Sequence, residues 1–198
     1  VDMTLDLNGK TVTATMGERV WMITAGSSLA LTDTVGGGTV KASATAKQNG
    51  GVFMVGKDGT FYMYTGTIRG TTVPKTETMT GDGGTGSVLG TMYMYSGSIL
   101  DGNAQGNGGN LTVAGTLYLL GGEISGGKAG NLGGNLYCSG QLYMEGGKVA
   151  QGTANNSNSN NLVGIKGSAM HLSGGQIDGG IRQAGAAVLV LKDSPVIT

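Results

Sequence analysis

The chain has 198 residues, of which 41 are glycine and 2 are proline; 38% are apolar and 12% charged, with twelve basic residues balancing twelve acidic ones. That length suits a single domain, the missing Gly-X-Y register excludes collagen, and the recurring short apolar strings exclude a flexible linker. A net charge of zero leaves no electrostatic footprint for nucleic acid or an anionic membrane surface, and the longest apolar run, residues 186–191, is too short for membrane insertion.

In chain order, one pattern recurs: a small residue, an apolar-polar-apolar string, a glycine corner, then a lone β-branched residue. It reads LDLNGKTV (5–12), SLALTDTVGGGTV (28–40), GTFYMYTGTIRG (59–70), GTMYMYSGSILDG (90–102), GTLYLLGGEISG (115–126), GQLYMEGGKVAQG (140–152), SAMHLSGGQIDG (168–179) and LVLKDSPVI (189–197). The lone residues are Val12, Val40, Ile68, Ile99, Ile124, Val149, Ile177 and Ile197, at steps of 20 to 31 residues. A second short string stands upstream in several copies: GGVFMVG (50–56), GGNLTVAG (108–115), GGNLYCSG (133–140) and LVGIKG (162–167).

Alternation of period two in strings rich in Val, Ile, Leu, Tyr and Thr predicts strands, and glycine interrupts every candidate helix. A unit this short, with three strands and no helix, cannot bury its own apolar side; stacked copies can. The predicted fold is therefore all-β: one right-handed, three-sided parallel β-helix over 1–198, with about eight coils and a length on the order of 40 Å. Glycine serves the corners, where the chain turns within very few residues.

The strings LDLNGKTV, SSLALTD, GGxLYMxGG and GGxI resemble the right-handed parallel β-helix repeats of bacterial cell-surface and adhesin-type proteins, within the broad pectate-lyase-like class. The resemblance covers nearly the whole chain and speaks to fold more than to activity, since that class includes lyases, hydrolases and inert stalks. It implies an extracellular or bacterial cell-surface location. In the resembling enzymes, long loops flank a substrate groove; here variable length gathers in segments 42–50, 70–86, 101–108 and 151–161, on one side of the rod.

Parity assigns the faces. The inward pairs are Leu29/Leu31, Phe61/Met63, Met92/Met94, Leu117/Leu119, Leu142/Met144, Met170/Leu172 and Leu189/Leu191, with methionine filling gaps between unequal coils. Cys138 shares the inward parity of Leu136 and reads as a buried, inert thiol. Asn110, Asn135 and Asn161 stand before equivalent strands and are expected to stack as an amide ladder. Glu123 and Lys148 are expected to form a surface ion pair one coil apart. The segment TANNSNSNN (153–161) is polar and reads as mobile.

For catalysis, a glycosidase needs two carboxyls roughly 5–10 Å apart. The positions following the lone residues give Arg69, Asp101, Ser125, Gln151 and Asp178, in which Asp101 and Asp178 stand about 14 Å apart at the strand spacing. The remaining catalytic candidates are Glu77, Asp82 and Asp101 with Arg69 and Lys75, a region that suits a calcium-dependent lyase or hydrolase. His171 has no Cys or His partner for a zinc site, and no other cofactor or metal is implied.

The outward column of the middle strand reads Asp6, Ala30, Tyr62, Tyr93, Tyr118, Tyr143, His171, Val190, and a neighbouring column adds Tyr64 and Tyr95. These tyrosines with His171 are the predicted binding residues. The leading reading is a non-enzymatic surface module that presents this strip to a glycan, to a host or neighbouring protein, or to itself. A polysaccharide lyase or glycoside hydrolase on the loop-bearing side is the alternative, and a structural spacer the third. Both ends read as open strand, so the segment is expected to be a piece of a longer chain or to pack its ends on a neighbour.

Overall fold

A computed structural model describes residues 2–156, 161–185 and 187–198. Among them there is no helix, and every strand pairing is parallel. The chain winds as a parallel β-helix whose coils contribute in turn to three long sheets. The first sheet stacks eight strands: Asp2–Asp6, Ser28–Thr32, Thr60–Met63, Thr91–Met94, Thr116–Leu119, Gln141–Met144, Ala169–Leu172 and Val188–Leu191. The second, also of eight, runs from Thr11–Ala14 to Val196–Ile197 and carries the lone β-branched residues. The third holds seven strands, from Trp21–Ile23 to Ile181–Gln183.

The loop-bearing side is more ordered than its composition suggests. Thr72–Val73, Asn103–Ala104, Lys128–Ala129 and Thr153–Ala154 pair as a small fourth sheet of two-residue strands. Such strands leave almost no periodicity to read, because two residues cannot display alternation. Of the polar segment 153–161, residues 157–160 lie outside the described residues.

The core follows the parity assignment through most of the rod. The inward pairs from Leu29/Leu31 to Met170/Leu172 are all buried, and Trp21, Phe53 and Phe61 form an aromatic cluster with centroids 5.3–6.1 Å apart. The last pair departs: Leu191 is 53% exposed and Ile197, in the last strand of the second sheet, 42%, while Met3 in the first strand is 59% exposed. An inward residue is buried only when coils stack on both sides of it, and these lie in the outermost strands.

Register corrects two sequence columns. Thr4, and not Asp6, pairs with Ala30 in the tyrosine column, while Asp6 pairs with Thr32 in the line of Tyr64. Arg69 pairs with Leu100, and Leu100 with Ser125 and in turn Ala150, so Asp101 and Gln151 stand one position further on. There Asp101, Gly126 and Gln151 turn the same corner of successive coils with φ of 61°, 68° and 55°. Another corner is shaped by close approach: a Cβ on Gly109 would lie 2.0 Å from Gly134 O and 2.4 Å from Lys128 N, backbone on both sides.

Beside that corner runs the asparagine ladder. Asn110 Nδ2 donates to Asn135 Oδ1 at 2.7 Å, and Asn135 Nδ2 donates to Asn161 Oδ1 at 2.6 Å. The second amide proton of each goes to a backbone carbonyl, Ser125 O at 2.8 Å and Ala150 O at 2.7 Å. The N–H groups of Gly102, Gly127 and Gly152 donate to the three Oδ1 atoms at 2.8–2.9 Å. All three side chains are buried, at 0–2% exposure. Asn110 and Asn135 thereby use both donors and both lone pairs, which is what a buried amide requires.

Candidate functional site

The outer face of the first sheet is the candidate site. In-phase register places Tyr62, Tyr93, Tyr118 and Tyr143 on successive strands, with His171 on the next. Ring centroids are 5.2, 4.7, 4.9 and 4.8 Å apart down this column, and neighbouring planes differ by only 4–12°. Tyr64 and Tyr95 stack at 5.0 Å in a second column, each 6.4 Å from its neighbour in the first. All seven predicted binding residues are thus gathered into one block of near-parallel rings. The seventh tyrosine, Tyr137, lies on the third sheet.

The spacing decides what the block presents. Coplanar rings set side by side would interpenetrate at under 5.2 Å, so these rings overlap as an offset stack. Each face covers the next, and solvent meets ring edges and phenolic oxygens. The Tyr143 hydroxyl donates to Gln141 Oε1 at 2.8 Å, and no hydroxyl of the column is both buried and unpaired. Tyr64 and Tyr95 are the most open, at 45% and 42%.

Sequence reading missed the flanks of this block. Thr60, Thr91, Thr116 and Gln141 form a polar column on one side. On the other, Leu120, Glu145, Ser173 and Lys192 continue the line of Tyr64 and Tyr95. The signal was present in the T-x-Y-x-Y strings, but only register shows that the columns are straight. From Thr60 to His171 the outward positions carry a single carboxylate, Glu145. Below His171 a shallow cleft of about 190 Å³ is lined by Tyr143, His171, Ser173, Val190 and Lys192.

One phenol of the block is perturbed. Burial first, then Tyr93, Tyr143 and Glu145, push the Tyr118 phenol above the ordinary 10.0. A folded pKa raised above the unfolded one adds stability that is intact below the ordinary value and is lost as pH rises through the folded one. Burial, then Asp82, also raises the Tyr137 phenol. Titration followed at 295 nm is therefore expected to show two late-ionising phenols, of which Tyr118→Phe removes one, with the denaturation midpoint falling as these groups ionise.

Among the catalytic candidates, one pair meets directly. Arg69 Nη1 pairs with Asp101 Oδ2, both exposed. Asp82 Oδ1 accepts from the backbone and side-chain nitrogens of Asn107, at 2.6 and 3.1 Å. Glu77 sits exposed in the turn closed by Thr76 N–H donating to Met79 O at 3.0 Å, and Lys75 is exposed beside it. Among the described residues no three His, Cys, Asp or Glu side chains are gathered to hold a metal ion. The Glu123–Lys148 pairing gives way to another: Lys148 Nζ reaches Asp178 Oδ2 at 3.0 Å, in the next coil. Cys138 is buried, its thiol pushed up to about 11 by burial.

No protein-family model matches the chain, and neither a curated protein nor a solved structure does.

Proposed function

We propose that the chain is a non-enzymatic module of an extracellular, bacterial cell-surface protein of the adhesin type, and that the tyrosine face of its first sheet recognises another protein. The observation that carries this is the stacked ring block itself: a flat, nearly uncharged surface of ring edges and hydroxyls, fixed on a sheet whose backbone bonds continue through the rod. Tyrosine and the scarcity of charge mark protein interfaces, and rings already ordered by stacking lose little freedom on binding.

The same geometry favours protein over glycan. Sugar C–H groups stack on ring faces, and here most faces are covered; only the outer faces of Tyr62 and His171 end the first column, and those of Tyr64 and Tyr95 the second. The lyase reading has less support, since Asp82 and Asp101 are engaged with Asn107 and Arg69.

The test is a Tyr93→Ala/Tyr118→Ala variant, which removes three stacked ring pairs within the first column and the wider Tyr93–Tyr95 contact beside it. At about 0.5–1.5 kcal/mol per pair, it is expected to lose about 2–4 kcal/mol of stability yet remain folded. Against a panel of protein ligands, the parent is expected to bind and the variant to lose at least about tenfold in affinity, as truncating central interface aromatics does. A variant that melts earlier but keeps every affinity would reduce the block to scaffolding. Glycan-array binding lost in the variant, or cleavage of polyuronates by the parent, would also overturn the reading.

A further inference from the structure

Resting on that reading, we infer that the protein this face fits is a second copy of the chain, docked face to face with the coil axes antiparallel and the tyrosine columns in register. The first reason is the repeat. Four phenols project at centroid spacings of 4.7–5.2 Å, with no gap between rings for an intruding side chain. A partner that meets each hydroxyl in turn must carry the strand spacing of about 4.8 Å. A helix, with its pitch of about 5.4 Å, drifts out of step. A second tyrosine column matches by construction, and every phenol both donates and accepts, so hydroxyl row satisfies hydroxyl row.

The second reason is what the symmetry brings together. A two-fold axis along the strands, passing between Tyr93 and Tyr118, sets Tyr93 opposite the second copy's Tyr118 and Tyr62 opposite its Tyr143. By the same operation Glu145, the lone carboxylate among the outward positions from Thr60 to His171, faces the phenol of Tyr64, and Leu120 faces Tyr95. Lys192, in the last strand's column, falls opposite Asp6 in the first. Each contact occurs twice, as an isologous interface requires. A phenol donating to a carboxylate and an ammonium beside a carboxylate are the stronger kinds of hydrogen bond. With the axis turned along the rod, Glu145 would face Gln141 and Lys192 would face Val188, and neither charge would gain a partner.

The third reason is size. Eight strands at about 4.8 Å, each five residues wide at about 3.3 Å, give roughly 600 Å² per copy and roughly 1,300 Å² in all. That is near the lower bound of a specific interface and suits a weak, reversible dimer.

Sedimentation equilibrium over about 1–500 μM, a range suited to a weak dimer, is expected to show the mass rising from 19.8 kDa towards twice that value. Lys192→Glu, which sets a carboxylate against Asp6, is expected to weaken association at least about tenfold. Orientation is read separately. Single variants Thr60→Cys and Gln141→Cys are treated with a short bis-maleimide; Cys138 is buried and does not compete. Cross-linked dimer is expected when the two variants are mixed and not in either alone. Cross-linked dimer within each single-variant sample, and no peptide linking position 60 to position 141 in the mixture by mass spectrometry, would overturn the antiparallel register. A monomer at every concentration, with no cross-link, would overturn the second copy as partner. In that case, tenfold-weaker binding of a different protein by Tyr93→Ala/Tyr118→Ala would leave the broader reading standing, and unchanged binding would remove both.

Discussion

An Asn135→Ala variant is expected to melt about 10 °C below the parent, on a scale of about 2–4 °C per kcal/mol for a chain of this size. Asn135 is fully buried and makes four hydrogen bonds: to Ala150 O and Asn161 Oδ1 as donor, and from Gly127 N–H and Asn110 Nδ2 as acceptor. Truncation strands those four partners in three successive coils. An unsatisfied buried group costs about 1–3 kcal/mol, so about 3–5 kcal/mol follows even if an internal water recovers part of the loss. In a stacked repeat protein, stability rests on interfaces between neighbouring coils, and this side chain belongs to two of them. Asn135→Asp keeps the shape but not the donors, so it is expected to destabilise as well. Melting within 2 °C of the parent for both variants, against the ~10 °C scale above, would show that the ladder is dispensable.

Phe61→Ala is the second large effect. Phe61 is fully buried and packs against Phe53 and Trp21, with centroids at 5.3 and 5.6 Å. Truncating a buried phenylalanine costs about 3–5 kcal/mol through lost burial and the cavity left behind. The site has little means of collapse, because the backbones above and below are held in the sheet ladder by Leu29 and Met92 in register with it. Phe61→Leu fills most of the space and is expected to retain more than half of the lost stability in urea denaturation. Equal losses for Ala and Leu would argue that the ring stack, and not the volume, matters.

Much of the architecture was legible because one repeat unit states it several times. Parity along GTFYMYTG and its copies separates core from surface without ambiguity, and the same parity aligns the tyrosines. It fails at Leu189/Leu191, where the inward residue has a coil on one side only. The asparagines were findable because Gly-Gly-Asn recurs before a strand, though their bonds to Ser125 O and Ala150 O join segments 15 residues apart. The fourth sheet was not findable, since Asn103–Ala104 and Lys128–Ala129 are two residues long and chemically unlike one another. Lys148 was assigned to Glu123 by column; its length lets it reach Asp178 instead. At the tyrosine face, sequence supplied the residues but not the orientation of the rings, and that orientation separates a surface of edges from a surface of faces.

Acetylation of the phenols by N-acetylimidazole, read by mass spectrometry on dilute and concentrated protein, tests the central claim most directly. Tyr62, Tyr93, Tyr118 and Tyr143 are expected to become protected as concentration rises, while Tyr137, on the third sheet, reacts alike in both samples. Equal reactivity of the four column tyrosines at both concentrations would contradict a self-docking face.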